Sequence, residues 1–121
     1  MDIEAAMKRI PPHSVDAERA VLGAMLMNKD AVMVASEIVT GEDFYQSAYG
    51  ILFDAVVDLF KAGKPVDLIT LQEHLKEKNV PPEVSSMEFA RELIVGTQTS
   101  ANVKYYAEIV KDKSVLRRLI R

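Results

Sequence analysis

The segment Pro11-Pro12-His13-Ser14-Val15-Asp16-Ala17-Glu18-Arg19-Ala20-Val21-Leu22-Gly23-Ala24-Met25-Leu26 constrains the fold more than any other part of the chain. Two consecutive prolines force an extended approach, because the ring fixes φ and clashes with a preceding helical residue. Ser14 is a good N-cap, and Asp16 and Glu18 in the first turn suit the positive end of a helix. Val21, Leu22, Met25 and Leu26 then form one apolar stripe. Gly23 lies inside that helix, where it costs about 1 kcal/mol against alanine. A glycine kept there serves close approach of another backbone. The segment therefore reads as a capped helix packed tightly into a helical domain, with no catalytic chemistry in it.

The punctuation repeats downstream. Asn28-Lys29-Asp30 breaks the first helix, and a second runs from about Ala31 to Val39 before Thr40-Gly41. Glu42-Asp43-Phe44-Tyr45 is a turn or a helical start. The third helix, about Ala48 to Ala62, carries Tyr49, Leu52, Phe53, Val56, Val57 and Phe60 at helical spacing, and Gly63 and Pro65 close it. Val66 to Ile69 is a short extended link. Thr70-Leu71-Gln72-Glu73 is a capping box opening a helix to about Lys78, ended by Asn79 and Pro81-Pro82. Ser85-Ser86-Met87-Glu88 is a second box, opening a helix to Val95 with Gly96 beyond it. After a turn from Thr97 to Ser100, with Ser100 able to cap, the last helix runs from Asn102 toward Arg121, ~30 Å if straight. It has no stop signal, which suggests continuation into another element.

The expectation is an all-α fold: a compact helical head of about four helices over residues 13–84, then an antiparallel helical hairpin over 85–121. Residues 1–12 form an N-terminal arm, loosely helical or disordered. With 121 residues, 49% of them hydrophobic, the chain can bury a real core; with 7% aromatics and no Trp, that core must be mostly aliphatic. The net charge of −3 argues against a free-standing nucleic-acid binder. The absence of Cys excludes disulfides, thiolate metal sites and a Cys nucleophile. No apolar run approaches a membrane span and no signal peptide is visible, so a cytoplasmic protein without membrane association is expected.

Chemistry is hard to find. Gly63-Lys64 is the one Gly-Lys pair, but Asp58 and Pro65 stand where a P-loop needs Gly and Ser or Thr. His13 and His74 lie in different segments and read as surface or capping residues rather than ligands. Glu42-Asp43 and the Glu88/Glu92 pair read as helix-dipole partners and solvated faces. Tyr105-Tyr106 and the basic run Lys111, Lys113, Arg117, Arg118, Arg121 admit two readings. One is ordinary core plus a charged last turn; the other is a protein-binding face with a basic rim. A separate hypothesis for the whole domain, single-stranded DNA bound by that basic face, would give salt-sensitive affinity.

Pro11-Pro12 with Asp16-Ala17-Glu18 and Val21-Leu22-Gly23 resembles the opening of the N-terminal domain of bacterial replicative DNA helicases of the DnaB type. Glu42-Asp43-Phe44-Tyr45, Pro65-Val66-Asp67-Leu68-Ile69-Thr70-Leu71, Ala101 through Val110, and Leu116-Arg117-Arg118-Leu119-Ile120 agree in order and spacing. Tyr49-Gly50, and Ser85-Ser86 ahead of Phe89, depart from the family pattern. The resemblance implies a non-catalytic all-helical domain that dimerises through a helical hairpin. Three such dimers form a collar on a hexameric ring, and the collar docks primase. ATP and Mg²⁺ would belong to a RecA-like motor following a linker, DNA would pass through the full-length ring, and a helicase loader is a further implied partner. This domain itself would need no cofactor and no metal. Phe89, Tyr105, Tyr106, Ile109, Leu116 and Ile120 are the expected oligomer or partner contacts.

Overall fold

The structure is a computed structural model that describes residues 10–120; the expectations placed on residues 1–9 and on Arg121 lie outside it. Seven α-helices and one 3-10 turn occur among the described residues, with no strand. They are α1 (Val15–Met27), α2 (Lys29–Ile38), the 3-10 turn Gly41–Asp43, α3 (Ser47–Lys61), α4 (Leu68–Glu77), α5 (Pro82–Ser85), α6 (Met87–Val95) and α7 (Val103–Ile120). The all-α class is the one expected. The one-turn α5 is additional, started by proline at its first position, where the missing N–H costs nothing.

Local chemistry explains most boundaries. The Ser14 hydroxyl accepts from Ala17 N at 3.2 Å, capping α1 as expected. Asn28 does two jobs: its N–H donates to Ala24 O, and its side chain accepts from Asp30 N at 2.9 Å. Helix α2 therefore starts at Lys29, two residues earlier than expected. Gly63 follows α3 in the left-handed region at φ +71°, and Asn79 follows α4 there at φ +56°, so the two residues end their helices by the same backbone reversal.

Two expected capping boxes take a different form. The cap of α4 is Asp67, whose carboxylate accepts from Thr70 N at 2.7 Å, so α4 begins at Leu68. A carboxylate at the N-cap is a stronger acceptor than the Thr70 hydroxyl and also meets the helix dipole. The cap of α6 is Ser86, accepting from Glu88 N and Phe89 N. Ser85 belongs instead to α5, where its hydroxyl donates to Pro82 O. Ahead of α7, Thr99 rather than Ser100 supplies the turn hydrogen bond, accepting from Ala101 N at 3.1 Å.

Helix α1 is the centre of the molecule. It packs against α2, α3, α6 and α7. Val21, Leu22 and Met25 are fully buried, together with Val32, Leu52, Val56, Leu59, Leu71, Leu75 and Val110 from the surrounding helices. Each such side chain contributes about 1.5–3 kcal/mol of transfer free energy. Gly23 faces the end of α6: a Cβ there would overlap the Thr97 hydroxyl and sit 2.8 Å from Leu93 O. The expected close approach of another backbone is thus made by Leu93 of α6, with the Thr97 side chain beside it.

The expected pairing of the last two helices is replaced by another arrangement. The link between α6 and α7 is short, but α6 packs chiefly on α1 and α4, and α7 on α1 and α2. Helix α1 lies between them because its stripe is apolar on more than one side, so each helix buries more against α1 than against the other. Residues 85–120 consequently share one core with residues 13–84.

Candidate interaction surface

Helix α7 carries two different faces. Val103, Ala107, Val110 and Ser114, at i, i+4, i+7 and i+11, are buried. Toward solvent lie Tyr105 (66% exposed), Val115, Leu116, Leu119 (75% exposed) and Ile120, with half-buried Ile109 beside them. Five exposed large apolar side chains on one helix make an apolar stripe of the kind that marks an interaction surface.

What fixes the second half of α7 on the body is largely polar. Asp43, at the end of the 3-10 turn, is fully buried. Its carboxylate accepts from Ser114 Oγ at 2.7 Å, Arg118 Nη2 at 2.8 Å and Thr40 N at 2.8 Å, with Lys111 Nζ at 3.5 Å. Its carbonyl oxygen accepts from Arg117 Nη2 at 2.6 Å, and Arg117 Nη1 donates to Pro12 O at 2.9 Å. Burial pushes the Asp43 carboxyl upward, but the bonds from Ser114 and Thr40 and the charges of Lys111 and Arg118 hold it below its ordinary value. It stays an anion among cations.

The Arg117 guanidinium lies 5.6 Å from the centre of the Tyr45 ring, and Tyr45 stacks on His13 at 4.0 Å. His13 Nδ1 donates to Pro11 O at 2.7 Å. The Pro11–Ser14 segment, the 3-10 turn and the end of α7 are therefore tied together. Glu18 extends the same region. Its fully buried carboxylate accepts from Tyr45 N at 2.9 Å and Gln46 N at 3.2 Å, holding the start of α3.

These contacts change the reading of the basic run. Lys111, Arg117 and Arg118 are engaged with Asp43 or Pro12, so three of the cations offered for DNA already have partners within the protein, although Arg118 stays half exposed. The observation weakens the DNA-binding reading, since charge paired within the protein releases no counterions from a phosphate backbone.

The six expected contact residues do not form one patch. Tyr105, Leu116 and Ile120 are exposed on α7. Tyr106 and Ile109 are half-buried against the core, with the Tyr105 and Tyr106 rings edge-on at 6.0 Å. Phe89 lies on α6 and packs on Tyr49 of α3, ring centres 5.7 Å apart. Asp43, Ser114 and Glu18 were not foreseen. Two of them had a signal: Glu18 is in register with Val21, Leu22 and Met25, and Ser114 with Val103, Ala107 and Val110. A polar residue in an apolar register needs a buried partner.

His74 lies 3.5 Å from Asp58, whose carboxylate also accepts from Lys78 and is thereby held below its ordinary pKa. This group ties α3 to α4. Among the described residues no group of three or more His, Asp or Glu side chains is placed to hold a metal ion. No helix among them is long and apolar enough to cross a membrane.

A bundle of short helices around one central helix, with a polar tie fixing the last helix and an uncovered apolar stripe along it, defines an all-helical domain built around contacts rather than chemistry. The chain belongs to the DnaB-like helicase N-terminal domain family, whose model matches residues 10–112. It is thus an N-terminal, non-catalytic helicase domain. The replicative DNA helicase DnaB of Geobacillus stearothermophilus is 45% identical over 118 residues, covering 98% of this chain and 26% of that protein. The chain thus spans about a quarter of the curated relatives it matches. The crystal structure of the N-terminal domain of DnaB helicase from Mycobacterium tuberculosis superposes with a TM-score of 0.86 at 37% identity, over 91% of this chain and 80% of that one. The N-terminal domain of DnaB helicase from Helicobacter pylori, described together with its interactions with primase, gives a TM-score of 0.73 over 98% of this chain and 89% of that one. At 19% identity that likeness is one of fold.

Proposed function

We propose that this domain serves as a collar unit of a replicative DNA helicase, associating with copies of itself and offering a docking face to primase. The observation that carries the reading is the exposed stripe of α7, fixed on a rigid body by the Asp43 contacts. Such a stripe supplies apolar contact area without a cofactor, which suits an interface that must survive each cycle of a ring motor. Tyr105, Leu116 and Ile120 are its exposed contact residues; Tyr106 and Ile109 support it from partly buried positions, and Phe89 lies apart from it on α6. The family context and the Helicobacter pylori structure described with primase support the choice of partner. In the whole protein, ATP, Mg²⁺ and translocation along DNA belong to a motor outside this chain, a loader is a further partner, and the setting is the cytoplasm.

Light scattering on the chain, alone and with the C-terminal domain of its cognate primase, tests the reading. Concentration-dependent dimers or a complex of defined mass are expected. A monomer that remains inert at millimolar concentration and ignores primase would overturn it.

A further inference from the structure

The last six residues of α7 are held differently from the rest of the helix. Val103, Ala107 and Val110 anchor its first half in the apolar core, and the buried face ends at Ser114. From Val115 to Ile120 no side chain is buried. The recorded hydrogen bonds from this stretch to the rest of the body come from two guanidinium groups. Arg117 reaches Pro12 O and Asp43 O, and Arg118 reaches the Asp43 carboxylate. That carboxylate is held from the other side by Thr40 N at 2.8 Å, within the reciprocal cap of the 3-10 turn. The same short stretch carries Val115, Leu116, Leu119 and Ile120 of the exposed stripe.

We infer that Asp43 is a latch: it sets whether the last six residues of α7 lie docked on the body or swing free, and so controls how the apolar stripe is presented. Asp43 is a positioning residue, since it touches no partner; its carboxylate acts through Ser114 and Arg118, while Arg117 holds its backbone carbonyl and would keep that bond in a side-chain variant. Without its charge, Lys111 and Arg118 lose the anion that draws them onto the body, and Thr40 N and Ser114 lose a charged acceptor. Val115, Leu116 and Ile120 are only about half covered, so the apolar hold on 115–120 is weaker than that on 103–110. A hinge at Ser114 follows, because that is where apolar anchoring weakens and polar anchoring begins.

The inference rests on the stripe being a docking face, yet its test needs no partner. Amide hydrogen exchange is read on the chain by mass spectrometry at neutral pH, comparing segments 103–110 and 115–120. Asp43→Asn should speed exchange of 115–120 roughly tenfold or more, the scale expected when a charge-assisted bond is lost, with 103–110 protected as before. Arg118→Gln removes a half-exposed cation, leaves Ser114, Thr40 and Lys111 on the carboxylate, and should act in the same direction by less. It keeps the question answerable if Asp43→Asn does not fold. Unchanged exchange of 115–120 in a folded variant, or equal loss of protection in both segments, overturns the latch. If exchange responds and association does not, the latch stands and the docking reading falls.

Discussion

Asp43 shows how much one buried charge can organise. Its carboxyl is held below the ordinary value of 3.8 in the folded state. The stability it supplies is therefore fully present above the unfolded value and is lost as pH falls through the lower, folded one. Urea unfolding at pH 7 should show Asp43→Asn less stable by about 1.5–3 kcal/mol, the cost of losing hydrogen bonds to a charged group. The gap should close as pH falls below the ordinary carboxyl value of 3.8, and a gap independent of pH would contradict the assignment. Gly23 makes a second residue-scale prediction. Gly23→Ala gains about 1 kcal/mol of helix propensity but must displace Thr97 and crowd Leu93 O, so net destabilisation of about 1–2 kcal/mol is expected in thermal melts. Gly96→Ala is the control: its Cβ would meet nothing closer than 3.4 Å, and no loss is expected. The close approach at Gly23 was legible in the sequence, because a helix keeps an interior glycine for such contacts. The partner of Asp43 was not, because residues 43 and 114 are 71 apart and no local pattern links a 3-10 turn to a helix end.

Among the elements, α7 gives the sharpest tests. Ile120→Glu or Leu116→Glu changes an exposed side chain, so the melting temperature should stay within a degree or two while association or primase binding weakens. Binding unchanged in both variants would remove these residues from the docking face. The basic side of the helix should give no micromolar binding to a labelled single-stranded oligonucleotide at low salt, because Lys111, Arg117 and Arg118 already have protein partners. Six of the seven helices could be read from stripes and stop signals, with starts off by one to three residues where Asp67 and Ser86 take the caps expected of Thr70 and Ser85, and where Asn28 caps α2. These errors share a cause: Ser, Thr, Asn and Asp all cap, and adjacent candidates are separated only by which one the tertiary packing leaves in extended backbone. The four-residue α5 is too short for periodicity to show it.

Across the whole molecule, the core is continuous from α1 through α7, so the domain should unfold in one cooperative step with no separate transition for residues 85–120. Two melting steps by circular dichroism would show that α6 and α7 form an independent unit. The sequence by itself determined the helical class, most of the helices, the aliphatic core and the family, since each rests on local periodicity, capping chemistry or residue order. Only the tertiary structure decided that α1 stands between α6 and α7, and that Lys111 and Arg118 of α7 reach a buried carboxylate. It also decided that the apolar stripe is left on the outside. Those facts depend on which faces meet across long stretches of chain. A stripe wide enough to be buried on two sides does not say which neighbour will cover each one.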